Sequence, residues 1–158
     1  MARPQLPGPR IDPITLIDLT ENDGALLRPG DSRDGERFDG IDLAGRDLTG
    51  ITFRECELRA VSLDAAKLRG ASLSDCVAAD LNAAVFSAPR STWRDVRIER
   101  SRLGSAEVGN ARLKDVDLRS SDFGAIHGLE GLRGAVIDDS QLSLLAPLLA
   151  AHLGIRVE

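Results

Sequence analysis

The stretch CELRAVSLDAAKLRGASLSDC, residues 56–76, carries leucine at 58, 63, 68 and 73. A period of five constrains this chain more than any other feature. In an α-helix, five steps overshoot a full turn by ~140°, so successive leucines would smear round the cylinder. In a flat strand an odd period sends successive leucines to opposite faces. One buried side results only if the chain bends after each short extended piece, so that every leucine points at the same axis. The register runs from Phe38 to Phe123 without insertion, and every position at this spacing is apolar. Two positions before each, the side chain is apolar or small, the exceptions being Glu36 and Arg46. Among the remaining positions of the repeats only Val77 and Val85 are large and aliphatic. Two positions in five therefore point inward and three outward, a binary pattern on an unusual period. Around 78–88 the large residue changes slot: Ala83 and Ala88 take the leucine position while Leu81 and Phe86 take the small one. Volume moves between two positions that share one close-packed core.

A short exact repeat sustained over most of a chain means a solenoid. The runs AKLRG–ASLSD and ARLKD–VDLRS–SDFGA resemble the A(D/N)LXX signature of the pentapeptide-repeat proteins. The resemblance spans about residues 36–128 and implies an all-β solenoid: a right-handed quadrilateral parallel β-helix with four pentapeptides per coil, here about four and a half coils. Glu36 and Arg46 depart from the pattern, and fraying of the first coil is expected there. Positions four pentapeptides apart then stack, which places Cys56 next to Cys76 with Val96 and Val116 continuing the column. Stacked neighbours point their side chains in parallel, a geometry poor for a disulfide, so two reduced core thiols are expected. Asp42, Asp47 and Asp122 precede inward residues, where the family pattern uses the side chain to bond the corner.

Three segments follow: 1–35 as N-terminal tail and cap, 36–128 as β-helix, and 129–158 as a C-terminal helical cap or dimerisation segment. Residues 1–10, with three prolines, read as a loose tail and PITLIDLTENDG as a lid, with ENDG a turn. GLEGLRG at 128–134 reads as the turn out of the last coil. Asp138, Asp139 and Ser140 can start a helix, and Leu142, Leu145, Leu149 and Leu153 keep helical spacing. Pro147 predicts a kink or two short helices, Gly154 suits the C-terminal cap, and GIRVE could add a terminal strand. The leucine stripe serves either as a lid on the last coil or as a homodimer interface. The second use is implied by family members that inhibit topoisomerases and pair through their C-terminal ends.

No catalytic, cofactor-binding or metal-binding residue emerges. His127 and His152 have no partner pattern, and Cys56 and Cys76, a whole coil apart, do not make a zinc site. The expectation is a non-enzymatic protein without cofactor, cytoplasmic because it has neither a leader-like N-terminus nor a membrane-length apolar run. Net charge is −5, which gives no basic footprint for direct nucleic-acid binding. The bland functional expectation is a protein-binding scaffold with an unidentified partner, Lys67, Arg69 and Arg90 being a candidate patch. The sharper one comes from the resemblance: some family members bind DNA gyrase as DNA mimics and some confer quinolone resistance. Summed side by side, the outward charges are net zero, −2, +1 and zero, so no whole side reads as a phosphate-like ladder.

Overall fold

The computed structural model describes residues 9–158; the expected loose tail, 1–10, lies almost wholly outside the described residues. The chain winds as a parallel β-solenoid. Each coil takes up four pentapeptides, so that Phe38 is the Cα partner of Leu58, Leu58 of Ala78, and Cys76 of Val96, which in turn partners Val116. A nine-stranded sheet runs over several sides, and a three-stranded sheet of Asn82–Ser87, Arg102–Glu107 and Asp122–His127 forms the remainder. Every period-five side chain is buried except Leu73 and Phe123, and those two pack against the same core. Leu81 and Phe86 are buried as the volume exchange requires, and Phe86 meets Trp93 edge to face at 5.9 Å between centroids. The core closes to voids of about 20 and 10 Å³, too small for any ligand.

The corners show why the period is five. Two positions after each inward residue the backbone enters the left-handed region, at 40, 45, 50 and on to 80, and again at 90, 95, 100, 110, 115 and 120. Such a residue reverses the pleat, so the next extended piece again points its first side chain inward. Gly, Asp and Asn hold many of these positions, as the cost of αL for other residues demands. Asp42 and Asp47 accept the N–H of the second residue on, at 2.9 and 3.1 Å, the corner bonding expected of them. The corner at 85, 105 and 125 has no left-handed residue. There the coils press together instead: a Cβ on Gly104 would meet the Ala84 carbonyl oxygen at 2.5 Å, and one on Gly124 would run into that of Gly104.

The solenoid extends past both limits of the repeat, to about six turns rather than four and a half. Thr20 pairs with Glu36 and Glu21 with Arg37 at one end, and Val116 pairs with Ala135 and Asp117 with Val136 at the other. Neither offset is a multiple of five, which is why counting stopped short of these end turns. The expected fraying at Glu36 and Arg46 does not occur. Glu36 accepts from Asn22 Nδ2 at 2.9 Å, and the Arg46 guanidinium donates to the Leu27 carbonyl at 2.8 Å. Arg33, paired in register with Phe53, bridges Asp31 at 3.0 Å. Polar residues at inward slots thus fasten a lid whose Leu27 is buried in the core. The lid is the segment around 20–31; residues 10–17 run along the outside of the coil, where Arg10 N–H reaches Asp115 at 2.7 Å.

At the other end, residues 129–132 form a 3-10 turn, followed by a single helix, α1, Asp139–His152. Asp138 caps it in a capping box with Gln141. Pro147 lies inside α1 without splitting it, so the expected alternative of two short helices does not occur. Pro147 and Ser143, whose carbonyl loses its partner, are both exposed, so water can serve that carbonyl. Gly154 follows the last turn at φ 68. Residues 155–158 form no strand; Ala135–Val136 is the terminal strand of the sheet at that end.

Candidate interaction surfaces

Three outward positions per pentapeptide, stacked coil upon coil, make vertical columns, and chemistry on this shaft is organised by column. On the side through Phe53, Leu73, Trp93 and Leu113, the corner column is Glu55, Asp75, Asp95 and Asp115, one carboxylate in each successive coil. All of them lie in the left-handed region. The column beside it is Arg54, Ser74, Arg94 and Lys114, and Arg94 pairs with Asp95 at 3.3 Å. The balanced side sum therefore hides a separation of charge into adjacent stripes, which summing by side cannot register. Counting by whole coils within the repeat would have found it. Residues 12–17 lie over Glu55, Asp75 and Asp95 and border an open groove of about 480 Å³.

The candidate patch Lys67, Arg69 and Arg90 spans two adjacent coils. Lys67 stacks between Asp47 and Ser87 and helps hold the Asp47 carboxyl below its ordinary range, after the larger effect of the Thr49 hydroxyl and N–H. Arg90 sits on the corner above Gly70, the chain neighbour of Arg69, and below Asn110.

The leucines expected on one helix stripe divide between two environments. Leu145 is 5% exposed and joins the core, and Leu149 packs against it. Leu142 and Leu153 are exposed, together with Leu144 at 66% and Leu148 at 39%. Helix α1 thus covers the coil with one stripe, and leucines stay exposed on both flanks of it, Leu142 and Leu153 on one and Leu144 and Leu148 on the other. Gln141 holds the lid side. Its Nε2 donates to the Leu118 and Ser121 carbonyls at 2.6 and 2.7 Å, closing a column in which the Ser101 and Ser121 hydroxyls accept N–H groups from the preceding coil. Sequence reasoning missed this residue, although it stands one coil-length after Ser121.

Cys56 and Cys76 are free and buried. Each thiol donates to the carbonyl of the second residue back, Arg54 and Ser74, at 3.1 Å. The Cys76 thiol is pushed above its ordinary value, first by its contact with Cys56 and then by burial. His127 ends a strand in register with Glu107, and His152 is exposed on the last turn of α1. Among the described residues no three metal-ligating side chains converge, and no helix is long and apolar enough to cross a membrane.

Residues 37–75 match the family model for pentapeptide repeats, in eight copies, and the same left-handed corners continue in the structure to Ser120. The matched stretch, less than half of the chain, is a run of pentapeptide repeats. The family match ends where Ala78, Ala83 and Ala88 replace leucine, a change of slot that leaves the coil intact. Solved structures of QnrB1, described as a plasmid-mediated fluoroquinolone resistance protein, have low similarity to it. One trypsin-treated variant is 15% identical, covering 87% of this chain and 94% of that one, with a TM-score of 0.35. A second is 17% identical over 87% and 95%, with a TM-score of 0.29. The full-length form is 16% identical over 82% and 94%, with a TM-score of 0.25. Likeness at this level carries no functional argument. No curated protein matches the chain.

Proposed function

We propose that this chain is a non-enzymatic pentapeptide-repeat scaffold that binds other proteins and joins to a second copy of itself through α1. The observation that carries this reading is the exposure of Leu144 and Leu148, one turn apart on one flank of α1, with Leu142 and Leu153 exposed on the other flank, although the helix already caps the coil. Neighbouring leucines left uncovered one turn apart suit a contact with another apolar surface. Their place at one end of a rod lets two rods join without covering the shaft. Light scattering on the wild type and on Leu144→Lys with Leu148→Lys tests it: a dimer that becomes a monomer supports the reading, and a monomeric wild type removes the self-association. Leu145 is unsuitable for this test, because its loss would loosen the lid.

A second reading, binding of DNA gyrase or a related topoisomerase, has one specific observation in its favour. The stacked carboxylates Glu55, Asp75, Asp95 and Asp115 run along the shaft, and a basic DNA-binding surface attracts such a column. The adjacent basic stripe and the overlying segment 12–17 count against it. Gyrase supercoiling with and without a quinolone decides: no effect at micromolar protein ends this reading, while inhibition lost in Asp75→Asn with Asp95→Asn supports it.

A further inference from the structure

We infer that Arg90, Thr92, Asn110 and Arg112 form a site for a phosphate monoester. The four line a surface pocket of about 370 Å³ on the corner between two sides of the coil. The geometry follows from the repeat. Thr92 and Arg112 are Cα partners in register, so their side chains leave the sheet one strand spacing apart, ~4.8 Å. Arg90 and Asn110 stack in the neighbouring column, Arg90 N–H bonding the Gly109 carbonyl at 2.9 Å, and both sit in the left-handed region at φ 56. Four side chains from two adjacent coils therefore border one depression. Below them in the same columns stand Gly70 and Ser72, too small to fill it.

The chemistry is one-sided. Two guanidinium groups, an amide and a hydroxyl all offer N–H or O–H donors, and no carboxylate lines the pocket. Neither arginine is engaged by an acid within the described residues, whereas Arg33, Arg37, Arg94, Arg97, Arg100 and Arg119 each are. Guanidinium forks bind tetrahedral oxyanions through paired N–H···O bonds. A phosphate monoester offers three terminal oxygens and up to two charges to donors on two strands, against two oxygens and one charge for a carboxylate, which favours phosphate. The volume exceeds a bare phosphate several-fold and leaves room for the group that carries it. The chain as a whole is acidic at −5, so diffuse attraction does not bring anions here and any affinity must come from these donors. On the cap, Glu130 lies against Gly109, the neighbour of Asn110 in the chain, and opposes the bound charge from outside the pocket.

Phosphorus NMR and calorimetry on the full chain at low ionic strength provide the test, with inorganic phosphate and O-phosphoserine as probes. Saturable millimolar binding is expected, tighter for phosphoserine. It should weaken at least tenfold in Arg112→Gln and in Arg90→Gln, weaken less in Arg112→Lys, and strengthen in Glu130→Gln. Arg54→Gln, outside the pocket, should leave it unchanged. All five variants alter surface side chains, and an unchanged melting curve verifies the fold of each. Inorganic phosphate bound as tightly as phosphoserine would restrict the site to the free ion and overturn the monoester assignment. Absence of saturable binding, or binding equal in the Arg90, Arg112 and Arg54 variants, overturns the site itself.

Discussion

Replacing Gln141 by leucine removes a side chain of similar size that closes the open end of the coil. Its Nε2 serves two carbonyls, those of Leu118 and Ser121, and its Oε1 accepts the Asp138 N–H at 2.8 Å. The residue is 4% exposed, so water cannot simply replace it. A buried group left without a partner costs ~1–3 kcal/mol. The Leu118 carbonyl keeps a long bond from Ser121 N–H at 3.4 Å and belongs at the low end. The Asp138 N–H, at the helix start, can turn to solvent. The loss should therefore be about 3 kcal/mol, and at ~2–4 °C per kcal/mol for a chain of this size the melting temperature should fall by about 6–12 °C. Because coils contact only their neighbours, the damage should be local: hydrogen exchange should accelerate in 139–152 and 118–126 and stay unchanged before residue 80. Gln141→Glu should be worse than leucine at neutral pH, since a carboxylate then faces two carbonyl oxygens. It should recover as pH falls, because a carboxyl whose folded pKa is raised binds its proton more readily in the native state. A melting temperature within a degree of wild type, with exchange unaltered in the cap, would refute this account of how the coil is closed.

Gly124→Ala should destabilise by about 2–3 kcal/mol in urea unfolding, because the new Cβ runs into the Gly104 carbonyl and backbone must shift; Gly45→Ala, with open space around it, should show only the smaller strain of a left-handed corner. The Asp138 carboxyl is held below its ordinary value, first by the Gln141 N–H and then by that of Ser120. Its support of the cap is therefore complete above the ordinary carboxylate value and disappears as pH falls through the lower folded one, so exchange in α1 should rise in that acid window and Asp138→Asn should flatten the change. Cys56 and Cys76, both 0% exposed, should resist a thiol reagent in the native protein and react together on unfolding; rapid native labelling of either would show that the coil opens between them.

The parallel coil, its inward residues and the stacking of Cys56 on Cys76 were legible in the chain, because burial imposes a period and a period survives in one dimension. The exchange of volume between Leu81, Ala83, Phe86 and Ala88 was legible for the same reason. The ends were not. Arg33 and Arg46 fasten one of them over Leu27 and Gln141 closes the other, with polar side chains in slots where the repeat calls for apolar or small ones, beside turns whose lengths break the five-fold count. The division of the α1 leucines was hidden too, since a stripe at helical spacing does not say how wide a face the coil will cover. Charge depended most on the tertiary structure. Sequence alone yields the sum for each side, but a left-handed corner turns position 55 away from position 54, and stacking repeats that choice in every coil. Stepping by whole coils would have grouped Glu55, Asp75, Asp95 and Asp115, but only the folded coil brings Arg90 and Arg112 to one depression.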